Sequence, residues 1–182
     1  MQKEGEEYVL AGYPWFKSRA RDTFISLPGL TLSIGENEQF ERYMKTAEKA
    51  IRDFIKGRPI SVDIHEMEMP DTLLWAIWSI QKYAKYVSRH KCYEKYGTLV
   101  HDIMEFIWSG KHPNLAIHQN GLLYSNGRDK AITWMNSTVD GRPIIPRSGY
   151  IVEFNALWYN ALKFYEQMLG EAEGGVNETL MM

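Results

Sequence analysis

Cysteine is nearly absent from this chain of 182 residues. Cys92 stands alone, which excludes an internal disulfide framework and a cysteine-rich zinc site, and a reducing compartment is compatible with it. An excess of one charge is absent as well. Lys and Arg number 21 against 23 Asp and Glu, a formal charge of −2, so the electrostatic footprint of a nucleic-acid-binding protein is missing. No apolar run approaches the roughly eighteen residues of a membrane span, and Met1 to Leu10 is acidic, unlike a secretory signal. Internal repeats and low-complexity tracts are also lacking. These absences predict a domain with neither a membrane nor a nucleic acid as partner.

What is present is a core. Hydrophobic residues make up 45% of the chain, enough at this length to fold without disulfides or a metal. Aromatic residues are plentiful, with 6 Trp, 11 Tyr and 7 Phe. Such rings either fill cores or form platforms for flat and sugar-shaped ligands.

The apolar periodicity is mostly helical. Phe40, Tyr43, Met44, Ala47, Ile51, Phe54 and Ile55 share one face of a helix from about Gln39 to Lys56, stopped by Gly57 and Pro59. A second helix begins near Pro70-Asp71, with Asp71 as N-cap or first-turn acid. A third covers Cys92 to Trp108, with Cys92 read as a packed thiol. Asp22 to Ile34 reads as a helix interrupted by Pro28-Gly29. The last, from Ile151 to Leu169, is apolar on nearly all sides and is expected to be buried against several neighbours, Trp158 included. Turn signals at Asn126-Gly127 and Asp140-Gly141 bracket an extended region in which Leu122–Ser125 and Ala131–Met135 are expected to pair as a hairpin. The reading divides the chain into a tail (1–10), one all-α domain with a short β-hairpin insertion (11–170), and a flexible tail (171–182).

Polar chemistry gathers in the connections, where a helical scaffold commonly carries binding groups. Trp15, Phe16, Arg21 and Asp22 occupy the first, Trp134, Asn136 and Asp140 the long one, and Arg147, Glu153 and Asn155 the start of the last helix. Indoles beside planar polar side chains suit a carbohydrate: the ring stacks on the C–H face of a pyranose, and paired hydrogen bonds hold its hydroxyls. The alternative is a helical domain whose Trp residues are core. His65, Glu66 and Glu68 fit no metal motif, and a solvated loop is the simpler reading, with Glu66 at the rim of a cleft. Asn136-Ser137-Thr138 has the form of a glycosylation acceptor, which means little without a secretion signal.

Several stretches taken in order resemble a known family. Ala11-Gly12-Tyr13-Pro14-Trp15-Phe16 leading to Arg21-Asp22-Thr23 and Leu27-Pro28-Gly29-Leu30 is similar to the start of the catalytic domain of bacterial and archaeal glycogen debranching enzymes. Asp71-Thr72-Leu73-Leu74-Trp75, Gly121-Leu122-Leu123-Tyr124, Thr133-Trp134-Met135-Asn136, Pro146-Arg147 and the run from Val152 to Leu162 resemble its later motifs. The resemblance implies an amylo-α-1,6-glucosidase domain with an (α/α)6 toroid fold. It further implies glycogen or a branched maltooligosaccharide as partner, no cofactor or metal, and inversion by two carboxyl groups. It places Arg21 and Asp22 at the terminal glucose, with Trp15, Trp134, Arg147 and Asn155 around the sugar.

The chain departs from the pattern at two places. Asn136 stands where many members carry the acid, and an amide cannot give up a proton at neutral pH. Glu153 is then the better carboxylic acid, with Asp140 second because Asp-Gly is so often only a turn. Arg19-Ala20 replaces the family's Trp-Gly, which alters the pocket. A toroid needs twelve helices and about five are legible here, so the chain is expected to form about half of the ring. The missing remainder of that domain is its expected partner, exposed apolar surface should mark where it fits, and activity alone should be poor. Rival readings are a glucoamylase-like or trehalase-like hydrolase, a non-catalytic carbohydrate-binding remnant, and a plain helical interaction domain.

Overall fold

The computed structural model describes residues 5–180, with side chains as far as residue 172. Five α-helices are present among the described residues: α1 (Ala20–Leu30), α2 (Asn37–Ile55), α3 (Thr72–Ala84), α4 (Arg89–Trp108) and α5 (Val152–Leu180). Six two-residue strands lie in the connections. β1 (Ser18–Arg19) pairs in parallel with β2 (Ile64–His65), while β3 (Ala116–Ile117) with β4 (Leu123–Tyr124), and β5 (Thr138–Val139) with β6 (Arg142–Pro143), form antiparallel hairpins.

Helix α2 follows its apolar stripe closely. Phe40, Met44, Ala47 and Ile51 are fully buried while the opposite face carries charge. Tyr96, Leu99, Val100, Ile103, Met104 and Ile107 do the same for α4, and the Ser88 side chain caps that helix by accepting from the Lys91 N–H at 3.1 Å. Cys92 is buried as expected, and burial pushes its thiol up to about 12, so it packs as an inert group. Pro28 stays inside α1, which ends two residues later at Leu30, with Thr31 as its C-cap, and is followed by a 3-10 turn over Leu32–Ile34.

The helices form two rows. α1, α3 and α5 pack side by side, and α2 and α4 lie behind them. The central position makes α3 the helix buried on nearly every side: Leu73, Leu74, Ala76, Ile77 and Ile80 are sealed. The sequence reading assigned that role to α5. There, Phe154, Trp158, Ala161, Phe164 and Met168 are buried, but Val152 and Tyr159 are exposed, because α5 stands at the end of its row. Truncating Phe154 to alanine would cost about 3–5 kcal/mol, the usual penalty for emptying a phenylalanine-sized core site. At the other end of the row α1 exposes Ile25 and Leu30.

Two local expectations, a strand pairing and a helix end, need correction. Leu123 and Tyr124 pair with Ala116 and Ile117, and not with Ala131–Met135, which adopt no strand. The hairpin belonging to the Asp140-Gly141 turn is β5–β6, its two central residues at φ 49° and 75°, the left-handed pair a two-residue loop requires. Helix α5 continues past Leu169 to Leu180, into the stretch read as a tail; Met181 and Met182 lie outside the described residues. At the other terminus, Glu7 docks on α2 through its backbone N–H to Thr46 and its carboxylate to Arg42 and Gln39.

Candidate functional site

Pairing of β1 with β2 sets Ser18 opposite Ile64 and Arg19 opposite His65, which lays the chain leading into α1 beside the chain leading toward α3. The start of α1 therefore meets the start of α3. Arg21 donates from Nε to both oxygens of Asp71 at 3.0 and 2.9 Å and from Nη2 to Oδ1 at 2.8 Å. Arg21 is only 8% exposed and Asp71 3%. The Trp75 indole N–H donates to the same carboxylate at 3.2 Å, and Arg21 Nη2 also reaches the Ile132 carbonyl at 3.5 Å. Asp71 sits at the N-cap position of α3, as expected, but its carboxylate serves Arg21 and Trp75 instead of the helix backbone.

Contact with Ile132 brings the loop preceding α5 to the same end of the row. Two residues later Trp134 is 63% exposed, after a turn in which the Thr133 hydroxyl accepts from the Met135 N–H at 3.2 Å. In the first turn of α5, Glu153 receives both terminal nitrogens of Arg147, Nη2 at 3.0 Å. The guanidinium holds the Glu153 carboxyl below its ordinary value, against the opposing effect of burial; its own backbone N–H at the helix start and the Trp134 indole N–H assist. A carboxylate held in this way accepts hydrogen bonds from hydroxyls or takes a proton from water. It is poorly suited to donating one.

A glycine makes this geometry possible. A Cβ on Gly127 would collide with the Arg147 carbonyl oxygen and lie 2.7 Å from Ile132 Cγ1. The turn signal at Asn126-Gly127 thus marks a close backbone approach that positions Arg147.

The remaining expected residues divide clearly. Asp22 follows Arg21 on α1 but is exposed to solvent; Arg21's carboxylate partner is Asp71, and the buried pair engages its Nε and Nη2. Asn155 is also engaged. Its Oδ1 accepts from the Leu123 N–H at 2.9 Å, and its Nδ2 donates to the Leu123 and Ile151 carbonyls at 3.0 and 3.1 Å, so it ties α5 to β4. Asn136 is exposed just beyond Trp134, and Asp140 occupies the exposed β5–β6 turn. Trp15 is 82% exposed on a loop closed by the Phe16 N–H donating to the Gly12 carbonyl at 2.7 Å. Arg19 lies 4.7 Å over the Phe16 ring and 3.4 Å from Glu66, so the residue that departs from the family pattern draws an acid to the same connection. Trp158 is core, its indole N–H donating to the Gly121 carbonyl at 3.1 Å.

Of the expected site residues, Trp134, Arg147 and Glu153 lie together, while Asp71, the partner of Arg21 50 positions away, was not among them. The available signal was chemical: an arginine beside Phe24 and Leu27 on the buried side of a helix must find a carboxylate. Among the described residues no group of three His, Cys, Asp or Glu is arranged to hold a metal ion, and no helix is long and apolar enough to cross a membrane.

Compared with known proteins, residues 1–179 match a family model described as amylo-alpha-1,6-glucosidase. No curated protein matches, and no solved structure does.

Proposed function

Because the chain belongs to the amylo-alpha-1,6-glucosidase family, a glycoside hydrolase family of the glycogen-debranching type, we propose that it serves to remove α-1,6-linked glucose from the branch stubs of glycogen or a branched maltooligosaccharide. The observation that carries the reading to particular residues is the group at the start of α5: an ionised Glu153 gripped by Arg147, beside the exposed ring of Trp134. The indole offers a face to the C–H surface of a glucose unit. Asp22, exposed on the first turn of α1, and Asn136 are assigned hydrogen bonds to its hydroxyls, and Trp15 a second ring platform.

Inverting hydrolysis uses one protonated and one ionised carboxyl group, about 6.5–9.5 Å apart to admit a water. Glu153 fits the ionised role: it takes the proton of the attacking water or holds a hydroxyl that becomes more acidic as positive charge develops at the anomeric carbon. This revises its expected role as proton donor, and the amide of Asn136 cannot supply that proton. The two helix rows are read as an arc of an (α/α)6 ring, α1, α3 and α5 inside, with the exposed apolar residues at both ends of the inner row marking where further helices pack. On this reading the protein works in the cytoplasm and the chain alone binds sugar better than it cleaves it.

The test is glucose release from a branched limit dextrin by the protein carrying this domain, with the first-formed anomer followed by proton NMR. β-Glucose from α-1,6 stubs, with little action on α,α-1,1 or α-1,4 glucosides, supports the reading. Faster cleavage of the latter would favour a trehalase-like or glucoamylase-like activity. A second reading, glucan binding without turnover, is favoured by Asn136 and by the lowered Glu153. It predicts undiminished maltooligosaccharide binding and no glucose from any substrate.

A further inference from the structure

Three aromatic rings from separate stretches of chain meet on the surface beside the start of α5. The β3–β4 register sets Ala116 opposite Tyr124, so His118 falls on the same face as Tyr124 one diagonal step away, and the two rings stack with centroids 4.7 Å apart and planes 11° from parallel. A bridge between Ser125 and Gly149, with backbone hydrogen bonds of 3.0 and 2.8 Å, then delivers Tyr150 edge-on to both rings. The Tyr150 hydroxyl lies 2.6 Å from His118 Nδ1. Tyr150 nevertheless remains 47% exposed. It faces a shallow concavity that it lines with Ile117, His118, Gln119 and Asn120.

We propose that this ring cluster and its neighbouring amides form a second glucan subsite, which holds the main maltooligosaccharide chain while the branch glucose occupies the mouth at Trp134 and Glu153. The inference rests on the debranching reading of that mouth. Its own support is threefold. The rings are held in place by a stack, a hydrogen bond and a strand bridge, so little conformational freedom is lost when a sugar packs against them. The side chains at the rim are neutral amides: Asn120 Oδ1 accepts from the Leu122 N–H at 3.1 Å, which leaves its Nδ2 to donate, and Gln119 is exposed. A pyranose presents this combination of an apolar C–H face and rim hydroxyls. Finally, Tyr150 and Glu153 are three residues apart, a backbone span of at most about 11 Å, so one branched saccharide can reach both.

The experiment is a two-sugar titration of the ¹⁵N-labelled chain, with maltoheptaose for the platform and isomaltose for the mouth. The inference expects maltoheptaose to shift the amide signals of Gln119 and Asn120. Tyr150→Ala should weaken maltoheptaose about fivefold, the scale of one lost ring contact, with isomaltose affinity unchanged; Tyr150→Phe should retain binding. Gln119→Ala, an exposed substitution that leaves the rings intact, should also weaken maltoheptaose. Isomaltose binding at Trp134 together with wild-type maltoheptaose affinity in both Tyr150→Ala and Gln119→Ala would overturn the subsite and leave the debranching reading standing. If neither sugar binds the wild-type chain, the debranching reading falls and the subsite with it.

Discussion

Arg21 and Asp71 form a bidentate ion pair that is almost completely withdrawn from solvent, and it joins the first turn of α1 to the N-cap of α3. Breaking such a pair leaves one buried charge without a partner. Asp71→Ala is therefore expected to destabilise the chain by about 3–5 kcal/mol, read by urea unfolding followed by tryptophan fluorescence. Exposed Asp22→Ala should change stability by less than about 0.5 kcal/mol. Equal effects would mean that the buried pair does not hold the two helices together.

Gly127 connects a turn to the site. Gly127→Ala forces its new methyl against the Arg147 carbonyl and Ile132, and the chain can relieve the collision only by moving Arg147. The expected result is a carboxyl of Glu153 closer to its ordinary pKa and weaker sugar binding, at a stability loss of about 1–3 kcal/mol typical of overpacking. Carbon-detected NMR of Glu153 in the variant provides the check.

The Glu153 carboxyl also fixes a pH dependence. Arg147 holds it below the ordinary glutamate value, so the ionised form, and on the proposed reading sugar binding with it, is expected to persist from neutrality through the ordinary glutamate range. They are lost only at more acid pH. Arg147→Met removes the cause, and the midpoint of the Glu153 titration should rise. A midpoint that does not move would show that Arg147 does not govern the charge state.

His112 gives a second and independent pH effect. It is 4% exposed, packed edge-on against Phe54 and Phe106, and its Nδ1 accepts from the Asn114 N–H at 3.1 Å. Burial pushes its value down to about 4. The unfolded chain, near 6.5, binds the proton first, so stability is full above about pH 6.5 and falls as the pH drops toward 4, by about 3 kcal/mol in all. His112→Gln, which keeps an acceptor for Asn114 and does not titrate, should flatten that slope between pH 7 and 5 in urea unfolding.

Helix positions were legible because apolar residues at 3-and-4 spacing leave few alternatives; α2 and α4 follow from Phe40–Ile51 and Tyr96–Ile107 almost directly. The row order was not read correctly: apolar and aromatic residues spread around α5 suggested burial on all sides, whereas α3, the more apolar of the two, takes the centre. The partner of Leu123–Tyr124 was missed because Ala116–Ile117 is too short a run to announce a strand. At the site, local groupings such as Trp134 with Glu153 followed from motifs, whereas Arg21 with Asp71 depends on a register between β1 and β2 that no local pattern encodes.

The most direct test is the indole N–H signal of Trp134 in a titration with isomaltose. A glucan mouth at the start of α5 predicts a saturable shift of that signal, diminished in Glu153→Gln. A Trp134 signal that stays in place at saturating sugar, in a folded chain, would contradict the assignment of this end of the molecule to carbohydrate.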